Sequence, residues 1–127
     1  MITTPPSEHS EQVAVIQWAD LQPLGGGYNV GAFLFAVPNG GVRSKITAKL
    51  LQAEGVRAGV PDLMLAVPRG GKSGLFIEMK RAKKSLSKVS DAQKDWHKRL
   101  TFAGYAVAVC YGADEAIKTI KAYLNLK

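Results

Sequence analysis

The fold is decided by residues 60–80, which read VPDLMLAVPRGGKSGLFIEMK. Two apolar runs, residues 60–67 and 75–80, flank a stretch rich in Gly, Pro, Lys and Ser. This pattern predicts two strands joined as a β-hairpin. Charged side chains interrupt the apolar runs at Asp62, Glu78 and Lys80, and these three residues are the first candidates for chemistry.

Hairpin geometry is expected to bring the three charged residues together. If the turn is centred on the Gly71–Lys72 bond, Asp62 lies opposite Lys80 or Arg81 and is a diagonal neighbour of Glu78 on the adjacent strand. Glu78 and Lys80 share one face of their strand because side chains alternate. Two carboxylates and an ammonium therefore meet in the middle of an apolar sheet.

Buried carboxylates in one place call for a cation. They raise each other's pKa and destabilise the fold unless a positive charge lies between them. Carboxylate and carbonyl oxygens suit Mg²⁺ or Mn²⁺, and no His or Cys cluster suggests zinc. A lysine beside such a metal can hold or deprotonate an attacking water, which favours phosphodiester hydrolysis. The competing interpretation is a structural ion pair of these acids with Lys80 or Arg81 at a sheet edge.

The rest of the chain predicts an α/β fold with the order α-β-α-β-β-α-β-α. Ser7 or Ser10 caps the first helix, Gly55 ends the second, and Ser90 with Gln93 forms a capping box that opens the third. Helices are predicted over residues 10–19, 43–54, 90–104 and 114–124, and strands over residues 30–37, 60–67, 75–80 and 105–111. The last strand is uniformly apolar, which is typical of burial on both faces, and the glycines at 25–27 predict a flexible connection.

Charge is concentrated in one part of the chain. The formal net charge is +7, and residues 69–99 hold 10 basic and 3 acidic side chains, while the remainder is balanced at 7 of each. A neutral body with one positive face predicts a polyanionic partner, although a solvated face that only aids solubility is the competing interpretation.

Length and composition restrict the class of protein. The 127 residues correspond to one domain, residues 1–127. The single Cys110 excludes an internal disulfide and a CxxC metal site. No apolar run is long enough to span a membrane and the N-terminus does not resemble a signal peptide, so we expect a cytoplasmic protein without a membrane partner.

Four motifs then follow one another along the chain: GVPDL at residues 59–63, GLFIEMK at 74–80, SDAQKDW at 90–96 and GYAV at 104–107. Together they resemble the VRR-NUC family of the PD-(D/E)XK nuclease superfamily. The resemblance extends over about residues 8–124 and includes VPNGG at residues 37–41. It implies a restriction-endonuclease-like core, in which a mixed central β-sheet is flanked by helices.

The resemblance also implies roles for individual residues. Asp62, Glu78 and the backbone carbonyl of Met79 look like the metal ligands, and Lys80 looks like the residue that positions the attacking water. Gln93 matches the family's glutamine on the following helix, although its place in a capping box is an equally good reason for it to be there.

A glutamate on the first helix completes the family site. Glu8 and Glu11 are both available, and we choose Glu11 because it directly precedes Gln12 in the helical pattern. An acid in the first turn of a helix, favoured by the helix dipole, is the competing interpretation of Glu11. His9 and His97 lack spaced partners and stay unassigned.

Further residues are candidates for binding nucleic acid. The basic loop after Lys80 is the strongest, and two weaker candidates flank the glycines before the second helix. The candidates are Arg81, Lys83, Lys84, Lys88, Arg43 and Asn39.

The expected function is a Mg²⁺- or Mn²⁺-dependent DNA endonuclease without an organic cofactor. Similarity to compact family members implies a substrate of branched DNA such as a four-way junction. A homodimer is expected, since one site per chain and two coordinated cuts favour twofold symmetry. The alternative is a non-catalytic nucleic-acid-binding module with a vestigial metal site.

Overall fold

The computed structural model describes residues 5–39 and 44–127 and contains four helices and six strands in these ranges. In chain order they are α1 (Glu8–Leu21), β1 (Pro23–Gly25), β2 (Tyr28–Asn29), β3 (Leu34–Ala36), α2 (Lys45–Ala53), β4 (Leu63–Leu65), β5 (Leu75–Lys80), α3 (Asp91–Phe102), β6 (Ala106–Tyr111) and α4 (Ala113–Leu124). Single turns of 3₁₀ helix lie at Val30–Ala32 and Lys84–Leu86. The four helices all begin and end within a few residues of their predicted bounds.

The central sheet is mixed, as predicted. Its strand order is β3-β4-β5-β6, in which β3, β4 and β5 are antiparallel and β5 and β6 are parallel. Contacts of α1 and α4 with the sheet cover one face, and α3 packs on β6. Without the small β1–β2 ribbon, the element order is the predicted α-β-α-β-β-α-β-α.

Two local predictions were wrong. The glycines at 25–27 belong to the β1–β2 ribbon rather than to a flexible connection, because their positive φ angles suit a tight turn. The strand predicted over residues 30–37 begins with a 3₁₀ turn, and only Leu34–Ala36 pairs with β4.

The register of the β4–β5 hairpin also differs from the prediction. Leu63 pairs with Ile77, and continuing this register by one residue places Asp62 opposite Glu78 rather than opposite Lys80 or Arg81. The tight turn is centred one residue earlier than predicted, between Gly70 and Gly71, both of which have positive φ. In addition, the arm that leads into the turn from β4 is one residue longer than the arm that leads out to β5.

The strand buried on both faces is β5, and not β6 as predicted. All six residues of β5 are buried because it lies between β4 and β6. β6 is the edge strand of the sheet, and within it only Cys110 is buried. An uninterrupted apolar run therefore did not distinguish a central strand from a covered edge strand.

The core lies between the sheet and the α1–α4 pair. Leu63, Leu65 and Ile77 of the sheet and Val15 and Ile120 of the two helices are fully buried there. Alternation along β5 therefore turns Glu78 and Lys80 to the opposite face, which α3 covers. No helix among the described residues has the length and apolar character needed to cross a membrane.

The loop before β4 packs tightly against the start of α3. Gly59 has a φ of +92°, and a Cβ added to it would lie 2.6 Å from the carbonyl carbon of Ala92 and 2.9 Å from the backbone N of Gln93. Both a positive φ and a close backbone approach therefore require glycine here. This contact fixes the distance between the chain that carries Asp62 and the helix that carries Gln93.

We predict that Gly59→Ala lowers the free energy of unfolding by roughly 2 kcal/mol or more, because backbone strain and a steric clash both act at this position. Gly55→Ala is the matched control, since Gly55 has a φ of +102° with no atom near its added Cβ. Urea unfolding of both variants measures the difference. Equal destabilisation by the two substitutions would contradict the close packing of the loop on α3.

Candidate active site

Asp62 is held at the start of β4 by backbone and side-chain donors. Its Oδ2 accepts a hydrogen bond from the backbone N–H of Met79 at 2.7 Å, and its Oδ1 accepts one from Asn39 Nδ2 at 2.8 Å. Asn39 also donates to the carbonyl of Val60. These contacts fix the carboxylate against β5, and they engage the Asn39 amide inside the site rather than leaving it free for a phosphate.

Glu78 is a buried carboxyl with an incomplete set of partners. The residue is 1% exposed, and its Oε2 accepts a hydrogen bond from Gln93 Nε2 at 3.1 Å. Among the described residues, Oε1 has no hydrogen-bond donor, and His97 Nε2 lies 3.5 Å away. Burial is the largest cause that raises the pKa of Glu78 to about 9, followed by the hydrogen bond and the charge of Asp62. Glu78 is therefore protonated at neutral pH in the metal-free protein.

Gln93 links Lys80 to Glu78. Its Oε1 accepts hydrogen bonds from Lys80 Nζ at 3.0 Å and from the backbone N of Ser90 at 2.8 Å. Its Nε2 donates to Glu78, so one amide completes the capping box of α3 and also connects the two functional side chains of β5. The two interpretations of Gln93 are therefore compatible.

The structure places Glu11 and Glu8 differently. Glu11 Oε2 accepts a hydrogen bond from the backbone N–H of Ala113 at 2.7 Å, at the start of α4. The N-cap of α4 is Gly112, which supplies no side-chain cap, so the Glu11 carboxylate takes that part. Glu8 instead lines the pocket that contains Asp62 and Glu78. The structure thus brings Glu8 to the site, whereas the prediction chose Glu11.

The difference arises from the phase of α1. The helix begins at Glu8 with Ser7 as its N-cap, one of the two predicted caps. Glu8 and Gln12 are then one turn apart and both line the site pocket, while Glu11 points to α4. Gln12 was missed as a site residue, although its spacing of four from Glu8 was visible in the sequence.

His97 was also missed. It lies one turn beyond Gln93 on the same face of α3, so that the two side chains approach the two oxygens of Glu78. Burial first, and then the charge of Lys80, lowers the pKa of His97. The imidazole is therefore neutral at neutral pH. The four-residue spacing from Gln93 was the available signal.

Apart from Asn39, the predicted nucleic-acid-binding residues either contact other parts of the chain, extend into solvent or lie outside the described residues. Arg81 donates to the backbone carbonyls of Pro5 and Pro6, and Lys84 lies 4.9 Å from the centre of the Tyr111 ring. Lys83 and Lys88 are exposed. Arg43 lies outside the described residues.

The site opens to solvent through a pocket of about 680 Å³. Glu8, Asp62, Glu78 and Lys80 line it, together with the loop that contains Gly59. The pocket therefore combines three acids with one ammonium at the α3 face of the sheet.

A hard divalent cation fits this donor set. Glu78 offers an oxygen without a donor, and its carboxyl ionises at neutral pH only if a positive charge offsets its burial. Among residues 5–39 and 44–127, no group of three or more His, Cys, Asp or Glu side chains is arranged to hold a metal ion. Two carboxylates with backbone oxygen and water are a donor set that Mg²⁺ accepts and that structural zinc does not.

Comparison with known proteins defines the class. The model of the VRR-NUC domain family matches residues 7–114 of the chain. A solved structure described as a VRR_NUC domain protein has a TM-score of 0.83 and 30% sequence identity, covering 98% of this chain and 93% of that chain. No curated protein matches the chain.

The chain is therefore an α/β protein of nuclease type. It belongs to the VRR-NUC domain family, and the resemblance drawn from the four motifs is confirmed.

We predict that Glu78 makes the stability of the metal-free protein depend on pH. Its pKa is about 9 in the folded protein and 4.5 ordinarily, so the stability it contributes is complete below pH 4.5 and is lost as pH rises through 9. Glu78→Gln keeps the neutral form at every pH. At pH 9 in EDTA, its Tm should exceed that of the wild type by at least about 4 °C, a shift that corresponds to roughly 1 kcal/mol.

Thermal unfolding between pH 5 and pH 9 measures this effect. The exposed Glu54→Gln is the control, and it should follow the wild-type curve. If the Tm of wild type and Glu78→Gln change in parallel over this range, the raised pKa of Glu78 is wrong.

Proposed function

We propose that this protein is a metal-dependent endonuclease that hydrolyses phosphodiester bonds in DNA. The proposal is carried by one observation: Asp62 and Glu78 face each other on neighbouring chain segments, beside Lys80, in an open pocket. The pocket holds three acids and one ammonium, a set of side chains that a bound cation would stabilise. Membership in a nuclease-type family supports the same chemistry.

Mg²⁺ or Mn²⁺ is the proposed cofactor, held by Asp62, Glu78 and the backbone carbonyl of Met79. Glu8 lines the pocket, and we propose that it supports the ion through a bound water, in place of the direct ligand role predicted for Glu11. When bound, such an ion lowers the pKa of a water ligand and offsets negative charge on a phosphate.

Lys80 is the proposed residue that orients the attacking water. Its ammonium has three N–H donors, and Gln93 Oε1 accepts one of them. In the described part of the chain the other two donors have no protein acceptor, which leaves them for a water or a phosphate oxygen. Because Lys80 is 4% exposed, its position is set by the protein rather than by solvent. Gln93 holds the Lys80 ammonium and the Glu78 carboxyl in fixed positions relative to each other.

The exposed lysines after β5 are the proposed phosphate contacts. Lys83 and Lys88 extend into solvent, and Lys84 is supported by the ring of Tyr111. Contacts of this kind supply affinity without sequence specificity, and they weaken with salt.

Branched DNA, such as a four-way junction, is the proposed substrate, and a homodimer is the proposed active form. Both proposals rest on the resemblance to compact VRR-NUC nucleases. Symmetry supports the dimer, since residues 5–39 and 44–127 form one pocket with these acids and a junction needs two coordinated cuts.

A nucleic-acid-binding module with a vestigial metal site is the second candidate function. It is favoured by the absence of a three-ligand group of His, Cys, Asp and Glu within the described part of the chain. Both functions require binding that depends steeply on salt, but only the nuclease requires cleavage that depends on metal.

We predict cleavage of a four-way junction in Mg²⁺ or Mn²⁺ and none in EDTA, with 5′-phosphate and 3′-hydroxyl ends. Lys80→Ala and Asp62→Asn should lower the rate by about 100-fold or more, as expected for removal of a group that orients water or binds metal. Gel assays on a four-way junction, a flap and a linear DNA duplex measure the rates. An RNA duplex is assayed in the same way to test whether the activity is specific for DNA.

The control for this assay is Lys118→Ala, an exposed lysine on α4 away from the pocket. DNA binding without any cleavage in either metal would favour the binding module. Full activity of both Lys80→Ala and Asp62→Asn would exclude the proposed mechanism even if the protein cuts DNA.

We predict that Glu8 and Glu11 have separable effects. Glu8→Gln should weaken Mn²⁺ binding about tenfold, because it removes one acid from the pocket. Glu11→Ala should keep Mn²⁺ affinity and lower the free energy of unfolding by about 1 kcal/mol, because it removes the cap of α4. Calorimetric Mn²⁺ titration and urea unfolding measure the two effects. The opposite pattern would restore Glu11 as the ligand.

A further inference from the structure

Arg81 contacts the N-terminal segment of the chain rather than extending into solvent. It directly follows Lys80 at the end of β5, and its side chain is half-buried. Its Nη2 donates to the carbonyl of Pro5 at 3.0 Å, and its Nε donates to the carbonyl of Pro6 at 3.2 Å. The guanidinium therefore bridges two consecutive carbonyls more than seventy residues away in sequence.

The segment that Arg81 holds is stiff. Pro5 and Pro6 have φ angles restricted by their rings, and they have no N–H groups of their own. Their polar backbone groups are carbonyls, which match the fork of donors in a guanidinium. Because the segment is stiff, fixing the carbonyl of Pro6 also restricts the positions of the residues that follow it.

Glu8 is two residues beyond Pro6 and is the first residue of α1. It lines the pocket with Asp62 and Glu78, and its charge contributes to the raised pKa of Glu78. Glu8 itself is exposed, so its position depends on how the first turn of α1 is held.

Besides the Ser7 cap, two contacts with other parts of the chain hold that first turn. Arg81 holds the entering chain from β5, and the Glu11 carboxylate holds the other side through the backbone N–H of Ala113 in α4. The Glu11 contact is possible because Gly112 has no side chain, since an added Cβ there would lie 2.6 Å from Glu11 Oε2. Of the two contacts, that of Arg81 comes from the residue that directly follows the strand carrying Glu78 and Lys80.

We propose that Arg81 is a positioning residue that holds Glu8 at the pocket, and that it is not a phosphate contact. The proposal deepens the proposed function, on which its metal-binding consequence rests. It assigns to Arg81 a role that the position of the residue in a basic loop does not suggest.

Hydrogen exchange of the metal-free protein tests the placement directly. In Arg81→Ala, the amides of Ser10 and Glu11, which donate to Ser7, should exchange about tenfold faster than in the wild type, because the entering chain is released. Lys118→Ala removes the same charge from an exposed position on α4 and should leave these amides unchanged. Unchanged exchange in Arg81→Ala would overturn the proposal.

A double-mutant cycle with Glu8 tests the consequence. Arg81→Ala should weaken Mn²⁺ binding about tenfold in the wild-type background and less than twofold in Glu8→Gln, because Arg81 acts through Glu8. Arg81→Lys should be intermediate, since an ammonium cannot reproduce the planar fork. Equal effects in the two backgrounds would overturn the proposal.

DNA binding supplies the last measurement. If Arg81 contacted a phosphate, Arg81→Ala would reduce the slope of log affinity against log salt by about 0.9 on duplex DNA. We expect the slope to stay unchanged, and a reduction of that size would overturn the proposal. If the wild type binds no Mn²⁺, the proposed function fails, whereas the exchange of the Ser10 and Glu11 amides still decides whether Arg81 holds the first turn.

Discussion

The structure depends on the burial of Glu78 opposite Asp62. A buried carboxyl beside a second acid is costly, and each neighbouring element supplies a group that reduces the cost. The β5 backbone and the loop after β3 donate to Asp62, while α3 donates to Glu78 through Gln93. Among the described residues these donors leave Glu78 Oε1 without a partner, and this is the oxygen that the proposed cation would bind.

The topology explains why donors from distant parts of the chain reach one place. β5 is the buried central strand, so that its alternation turns Ile77 and Met79 to the core and Glu78 and Lys80 to α3. The parallel pairing of β5 with β6 requires a long crossover connection, which here contains α3, and this helix brings Gln93 over the site. The same connection therefore completes the sheet and supplies the link between Lys80 and Glu78.

Sequence patterns predicted the features that depend on neighbouring residues. The capping box of Ser90 and Gln93, the strand β5 and the order of the main elements are of this kind, because propensity and periodicity act locally. The hairpin register was wrong, since one extra residue in an arm of the turn is not visible in a hydrophobic pattern. The choice between Glu8 and Glu11 depended on which face of α1 is buried, and that face is set by the packing of Val15 and Ala19 in the core.

The parallel pairing of β5 with β6 has a consequence for synthesis of the protein. During translation Glu78 and Lys80 leave the ribosome before α3 and β6, so the strand that carries them has one neighbour until residue 111 has emerged. A nascent chain of about 80 residues thus contains every acid of the pocket but neither the amide of Gln93 nor the second edge of β5. The pocket is therefore completed only after α3 and β6 have been synthesised and have packed against β5.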